Sequence, residues 1–229
     1  MPQLKNSKEP ICKEQPIGLI GAGGHSKVIQ EMIAAHPDYS LCAVLDDQFE
    51  ETTTKSSILY GPISMSQELR ETIPHMKWLI AIGQNESRQL VKERLAFGNT
   101  AFATLIHPRA VVSPSAIIGR GAVVMATAVV QADAAIGEHA IINTGSIVEH
   151  DCILESFVHL SPGAVLTGCV SVRKGTHIGA GAVVIPGTSI GSWTIIGAGA
   201  TVTKDIHDQK VAVGIPAREI KDRREGGGK

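Results

Sequence analysis

From Val112 to Val202 an aliphatic residue stands at every sixth position without a break, running through Val124, Val130, Val148, Leu160, Ile178 and Ile196. Four places after each comes a residue that is mostly small: Ala116, Ala122, Ala128, Ala134, Ala140, Ser146, Cys152, and later Ala164, Ala182 and Ala200. A helix needs a period of 3.6 and a half-buried strand a period of 2, so a strict six predicts a parallel β-helix of hexapeptides with one large and one small interior layer. Each hexad makes one side of a triangular coil. Eighteen residues then complete a turn, and equivalent residues stack at the strand spacing of roughly 4.8 Å. Burial of each aliphatic contributes about 1.5–3 kcal/mol, so the column holds the coil together although no single turn could stand alone.

The chain before His107 has a different texture. Ile17 to Ile20 reads as a buried strand running into Gly21-Ala22-Gly23-Gly24-His25, and Val28, Ile29, Met32 and Ile33 follow at helical spacing. A second strand over 41–45 ends in Asp46-Asp47, and a third over 78–82 ends in Gly83-Gln84-Asn85 before a helical stretch over 86–96. Strands alternating with helices predict a small Rossmann-like parallel sheet, whose ligands lie beyond the carboxyl ends of the strands. The expected organisation is a polar tail over 1–16, an α/β nucleotide-sugar-binding domain over 17–106, the coil over 107–206, and an extended segment and tail over 207–229. The glycine-rich end, 226–229, is expected to fray.

Aromatic residues make up only 3% of the chain, which suits a thin prism of Val, Ile and Ala better than a thick sandwich. A net charge of −1 without a basic stripe argues against nucleic acid and for small-molecule partners. Cys12, Cys42, Cys152 and Cys169 form no CxxC pair and read as reduced core thiols. Residues 1–15 carry no apolar signal-peptide core and no apolar run has spanning length, so the expected location is the cytoplasm, with no membrane partner.

Seven motifs in order carry a resemblance: Gly21-Ala22-Gly23-Gly24-His25, Leu45-Asp46-Asp47, Ala81-Ile82-Gly83, Ile142-Asn143-Thr144, Glu149-His150-Asp151, Val158-His159-Leu160-Ser161 and Val213-Gly214-Ile215-Pro216-Ala217-Arg218. Together they resemble the hexapeptide-repeat acetyltransferases that modify nucleotide-linked amino sugars or sialic acids, and most of all the exopolysaccharide-operon acetyltransferases of biofilm-forming bacilli. The resemblance implies a left-handed coil, although ordinary parallel crossovers favour the right hand. It also implies a homotrimer and acetyl-CoA as co-substrate, with no metal. His150 falls on that family's general base and Asp151 on the acid that tunes it, where many relatives carry glutamate. Gly168 falls on the backbone donor for the oxyanion, and His159, Ala180 and Ala198 on contacts to the coenzyme. Gly23, Gly24, His25, Asp46, Asp47 and Gly83 fall on the nucleotide-sugar site.

The residues alone support this chemistry without compelling it. A neutral imidazole suits proton removal from an attacking amine, and a neighbouring carboxylate favours its protonated form; a solvated histidine between two acids would look the same. Three imidazoles on a β-helix could instead hold zinc, but His150 lies nine residues, half a turn, from His159, while His159 and His177 are eighteen apart and stack. His150 and His159 can therefore meet only across a subunit interface. The glycine turn has Ser26 where a dinucleotide fingerprint has its third glycine, which weakens an NAD reading. The expected activity is transfer of acetyl from acetyl-CoA to the 4-amino group of a UDP-linked amino-dideoxy sugar. O-acetylation of sialic acid, and a silent nucleotide-sugar-binding scaffold, are the alternatives.

Overall fold

A computed structural model of the chain describes residues 15–223; the expected N-terminal tail, Cys12 and the glycine-rich end lie outside the described residues apart from Gln15 and Pro16. The α/β part is built from β1 (Gln15–Ile20), α1 (Gly24–Ala34), β2 (Tyr39–Leu45), β3 (Thr53–Lys55), β4 (Ile58–Gly61), α2 (Ser66–Thr72), β5 (Lys77–Ile80) and α3 (Asn85–Leu95). Its sheet runs β3-β4-β2-β1-β5, parallel except where the short β3 pairs antiparallel with β4. Ile17, Leu19 and Val44 face Ile29, Met32 and Ile33 of α1 in one buried cluster. Val28, expected on the same apolar stripe, points outward at 42% exposure, because four residues in six is wider than the arc that α1 lays on the sheet. Glycine is required at Gly18, where an added Cβ would stand 2.5 Å from the Trp78 ring, and at Gly21, which has φ +111.

The coil begins at Leu105–Ile106, one hexad before the expected start of the repeat, and two-residue strands follow at every sixth position to Thr201–Val202. They assemble into three parallel sheets, one per side of the prism. The first face, from Leu105–Ile106 through Ile141–Ile142 and His159–Leu160 to Lys210–Val213, is covered at its upper end by the α/β part, where Leu105, Val123 and Ile141 join the cluster around β1. The second face runs from Val111–Val112 to Thr201–Val202, and the third from Ile117–Ile118 to Ser189–Ile190. Register is eighteen from Leu105–Ile106 to Thr201–Val202, as in Ile141↔His159↔His177↔Ile195, and shortens to sixteen at the last step, Ile195↔Val211. Val124, Val148, Leu166, Ile178 and Ile196 are 0% exposed, and so are Ala128, Cys152 and Ala164 of the small layer.

One residue in every corner, from Gly121 through Gly199 at intervals of six, has positive φ. Glycine fills seven of these fourteen corners (121, 145, 163, 175, 181, 187, 199); Thr127, Asp133, His139, Asp151, Phe157, Cys169 and Trp193 fill the rest. The segment expected to extend past the repeat is a hairpin: Lys210–Val213 continues the first face and pairs antiparallel with Arg218–Asp222.

Candidate active site

His150 sits at the corner between the second and third faces, just after the interior Val148. Its ring lies over Gly168 of the next coil, where an added Cβ would stand 2.6 Å from both Cε1 and Nε2. Asp151 turns the corner with φ 58 and reaches His150 Nδ1 with Oδ2 at 2.7 Å. A carboxylate only accepts, so Nδ1 carries the proton and the Nε2 lone pair is left free. The shorter aspartate arm therefore closes the pair. His150 and Asp151 are both more than half exposed. The Gly168 N–H finds no acceptor among the described residues, although Thr167 and Cys169 on either side donate to Val184 O and His150 O. An imidazole with a free lone pair beside an unspent backbone donor can take a proton and steady an oxyanion on neighbouring atoms.

His159 lies on the first face, the side of the triangle opposite that corner. It stacks on His177 with centroids 4.9 Å apart. Its Nδ1 is 3.1 Å from Gly83 O and its Nε2 is 3.1 Å from Asn143 Nδ2, so the ring donates to the loop after β5 and accepts from the asparagine. Burial, with the positive charge of Arg88 and the neighbouring His177 and His25, pushes its pKa down to about 3. It stays neutral, with both ring nitrogens engaged. Ala180 and Ala198 stack at the exposed corner between the first and second faces. A cleft of about 390 Å³ opens on the first face between the β5–α3 loop and the coil, lined by Gly83, Asn85, Glu86, His159, His177 and Arg223. A larger one, about 510 Å³, is at the opposite, amino end of β2, lined by Tyr39 and Leu41, away from the glycines and acids.

The expected nucleotide-sugar residues do gather at the carboxyl ends of the strands, but not all are free. Nothing lies within 4 Å of a Cβ built at Gly23, Gly24 or Gly83, so their backbones are open to a close ligand. Asp46 is occupied in shaping the turn: Oδ2 accepts from Ala22 N at 2.7 Å and Oδ1 from Gln48 N at 3.0 Å. Asp47 pairs with Arg94, which holds its carboxyl below the usual range. His25 is largely buried with Nε2 unpartnered, 6.5 Å from the His159 ring, and burial lowers its pKa to about 4.

Three contributions escaped the sequence reading. Arg88, 1% exposed, donates to Ile82 O, Gly83 O, Asn85 Oδ1, His139 O and Phe157 O, so one guanidinium joins the β5–α3 loop to two coil corners. Asn85 adds bonds to Gly175 O and Thr176 O. Cys169, expected in the core, is exposed at a left-handed corner beside His150 and Asp151, whereas Cys152 is buried. Runs of histidines with acids are common, but none of these three carried a local signal, since their partners are backbone atoms or residues one coil away.

Against known proteins, the PglD N-terminal domain matches residues 16–95 and the bacterial transferase hexapeptide (six repeats) matches residues 170–204. A perosamine N-acetyltransferase variant from Caulobacter crescentus, solved with CoA and GDP-perosamine, is 38% identical with TM-score 0.82 over 90% of this chain and 97% of that one. The chain belongs to the hexapeptide-repeat N-acetyltransferases of nucleotide-linked amino sugars. The coil is accordingly the left-handed parallel β-helix of that family. The acetyltransferase domain of PglB from Neisseria gonorrhoeae FA1090, in complex with acetyl coenzyme A, is 36% identical with TM-score 0.77 over 90% of this chain and all (100%) of that one. UDP-N-acetylbacillosamine N-acetyltransferase of Bacillus subtilis (strain 168) is 50% identical over 110 residues, 48% of this chain and 51% of that protein, so the match spans about half of that relative's length. No helix among the described residues is long and apolar enough to cross a membrane.

Proposed function

We propose that the chain is an acetyl-CoA-dependent N-acetyltransferase that acetylates the 4-amino group of a UDP-linked amino-dideoxy sugar during exopolysaccharide or glycan synthesis. The observation that carries the reading is the His150–Asp151 pair laid over Gly168, with Nε2 free and the Gly168 N–H unspent. The sugar amine attacks the thioester carbonyl, His150 Nε2 takes the amine proton, the Gly168 N–H steadies the oxyanion, and CoA leaves as the thiol or thiolate. No enzyme nucleophile is required. Both relatives named for their reaction are N-acetyltransferases, which favours an amine over a hydroxyl acceptor, and the curated one uses a UDP-linked sugar.

The same geometry supports a shared site. Residues 17–106 supply the open glycine backbones and the loop that meets His159, while His150 stands on the far vertex of its own coil. Acceptor and base then come from different protomers, as a cytoplasmic homotrimer would provide. Val111, Ile117 and Ile153, 62%, 70% and 54% exposed on the second and third faces, give such an assembly apolar surface to cover. Incubation with acetyl-CoA and a panel of UDP-, GDP- and CMP-linked amino sugars, read by mass spectrometry, tests the reading. A UDP-4-amino sugar should gain one acetyl; acetylation confined to sialic acid hydroxyls would replace the reading with the O-acetyltransferase one.

A further inference from the structure

Asp151 and Cys169 occupy equivalent corners of consecutive coils, with φ 58 and 61, and the Cys169 N–H donates to His150 O at 3.0 Å. A nitrogen of His150, a carboxylate oxygen of Asp151 and Cys169 Sγ all lie within 4.8 Å of one another. We propose that these three side chains form a chelating site for a zinc-class divalent cation, and that its occupancy switches acetyl transfer off.

The donor chemistry selects the ion. Imidazole, carboxylate and thiolate are the three ligand types that zinc accepts, and the thiolate disfavours magnesium and calcium, which want oxygen. Donors bound tetrahedrally at about 2.0–2.3 Å stand roughly 3.3–3.8 Å apart. Closing the cluster therefore takes side-chain movement of about an ångström, and all three side chains are exposed, with Asp151 leaving the His150 Nδ1 proton to make it. The backbone beneath them is already fixed by the coil ladder, so little main-chain order is lost on binding. Three protein donors leave a fourth tetrahedral position for water or for a thiolate product.

Cys169 sits at this corner at a cost. A left-handed conformation costs a residue with a Cβ about 1–2 kcal/mol, and the equivalent corner one coil further on is Gly187. The inhibitory part of the proposal rests on His150 being the base. A neutral imidazole has one lone pair, so it cannot bind a metal and accept the amine proton together. The sign is opposite to that of a zinc enzyme: metal lowers the rate and a chelator restores it.

Cobalt(II) titration of the full chain reads the site without turnover, because a sulfur-to-cobalt charge-transfer band appears only when a thiolate binds. The wild type should give the band at one cobalt per chain and Cys169→Ala should lose it. Cys169→Gly, which the corner favours, should behave like Cys169→Ala, so misfolding does not explain the loss. Zinc should inhibit the wild type reversibly. Both variants should keep the zinc-free rate and tolerate at least about tenfold more zinc, since losing even a residue behind a ligand costs that much. A wild type without the band, or equal zinc sensitivity in wild type and variants, would overturn the proposal. A wild type that gives the band but transfers no acetyl would sink the enzymatic reading and keep the metal site.

Discussion

Arg88 is the most consequential buried polar group in the molecule, and its replacement by leucine should show it. The side chain is 1% exposed and donates five hydrogen bonds, four of them to backbone carbonyls at Ile82, Gly83, His139 and Phe157. Burial lowers its pKa to about 9, which still leaves it charged at neutral pH. Arg88→Leu removes every donor at once. Gly83 O keeps the His159 ring, but three carbonyls and Asn85 Oδ1 lose their partner, at roughly 1–3 kcal/mol for each group left buried and unpaired. Relief of the guanidinium's own desolvation offsets part of this, so the expected net loss is about 3–5 kcal/mol. At about 2–4 °C per kcal/mol for a chain of this size, Tm should fall by roughly 10 °C. Circular dichroism melting measures it, with exposed Lys55→Ala as the control. The Ile82–Gly83 loop should also loosen, raising KM for the nucleotide sugar more than KM for acetyl-CoA. A Tm within 2 °C of wild type, by order of the same scaling, would refute the clamp.

Three other outcomes follow from the geometry. Val148→Asp puts an unpaired charge in the 0% exposed column and should cost several kcal/mol, whereas exposed Arg120→Ala should cost under about 0.5 kcal/mol; equal melting shifts would show that the interior frame is wrong. Gly168→Ala meets the end of an exposed ring rather than backbone, so stability should hold while the displaced imidazole lowers kcat by up to about 100-fold; an unchanged kcat would remove His150 from the chemistry. His25 and His139, lowered to about 4, and His159, lowered to about 3, are all buried as neutral rings. Their folded pKa values lie below the unfolded 6.5, so this contribution is complete above pH 6.5 and is lost as pH falls towards 4, at up to about 1.4 kcal/mol per pH unit for each ring. Urea midpoints at pH 7 and pH 5 check it, and a flat profile would contradict the burial.

What could be read in advance depended on whether a residue's role was local. The aliphatic column is local and periodic, so Val112 to Val202 yielded the coil and its three-sided register directly. The glycine turn and the acids ending β2 were visible for the same reason. The β3–β4 hairpin was not visible, because Ser56 and Ser57 hold φ 49 and 64 without the Asn-Gly or Gly signal that such turns usually carry. Arg88 read as part of a helical stretch and Asn85 as part of the turn that ends the third strand, and neither reading showed the bonds they make, since those partners include carbonyls on coil corners about 50 to 90 residues away. Cys169 was read as a core thiol, yet it stands one residue short of the interior Val170 and so turns outward. His139 was passed over as well; its ring is stacked on Phe157 and edge-on to Phe102, with neither nitrogen partnered.

The central claim is that His150 is the base of a direct acetyl transfer, and single-turnover kinetics of His150→Ala with acetyl-CoA and the UDP-4-amino sugar test it most directly. The account predicts unchanged folding and coenzyme binding with the transfer rate reduced by roughly 10²–10⁴-fold, the range for removal of a positioned base, and a zinc-free wild type unaffected by chelator. Full activity of His150→Ala at neutral pH, or wild-type activity that vanishes with chelator and returns with zinc, would contradict it.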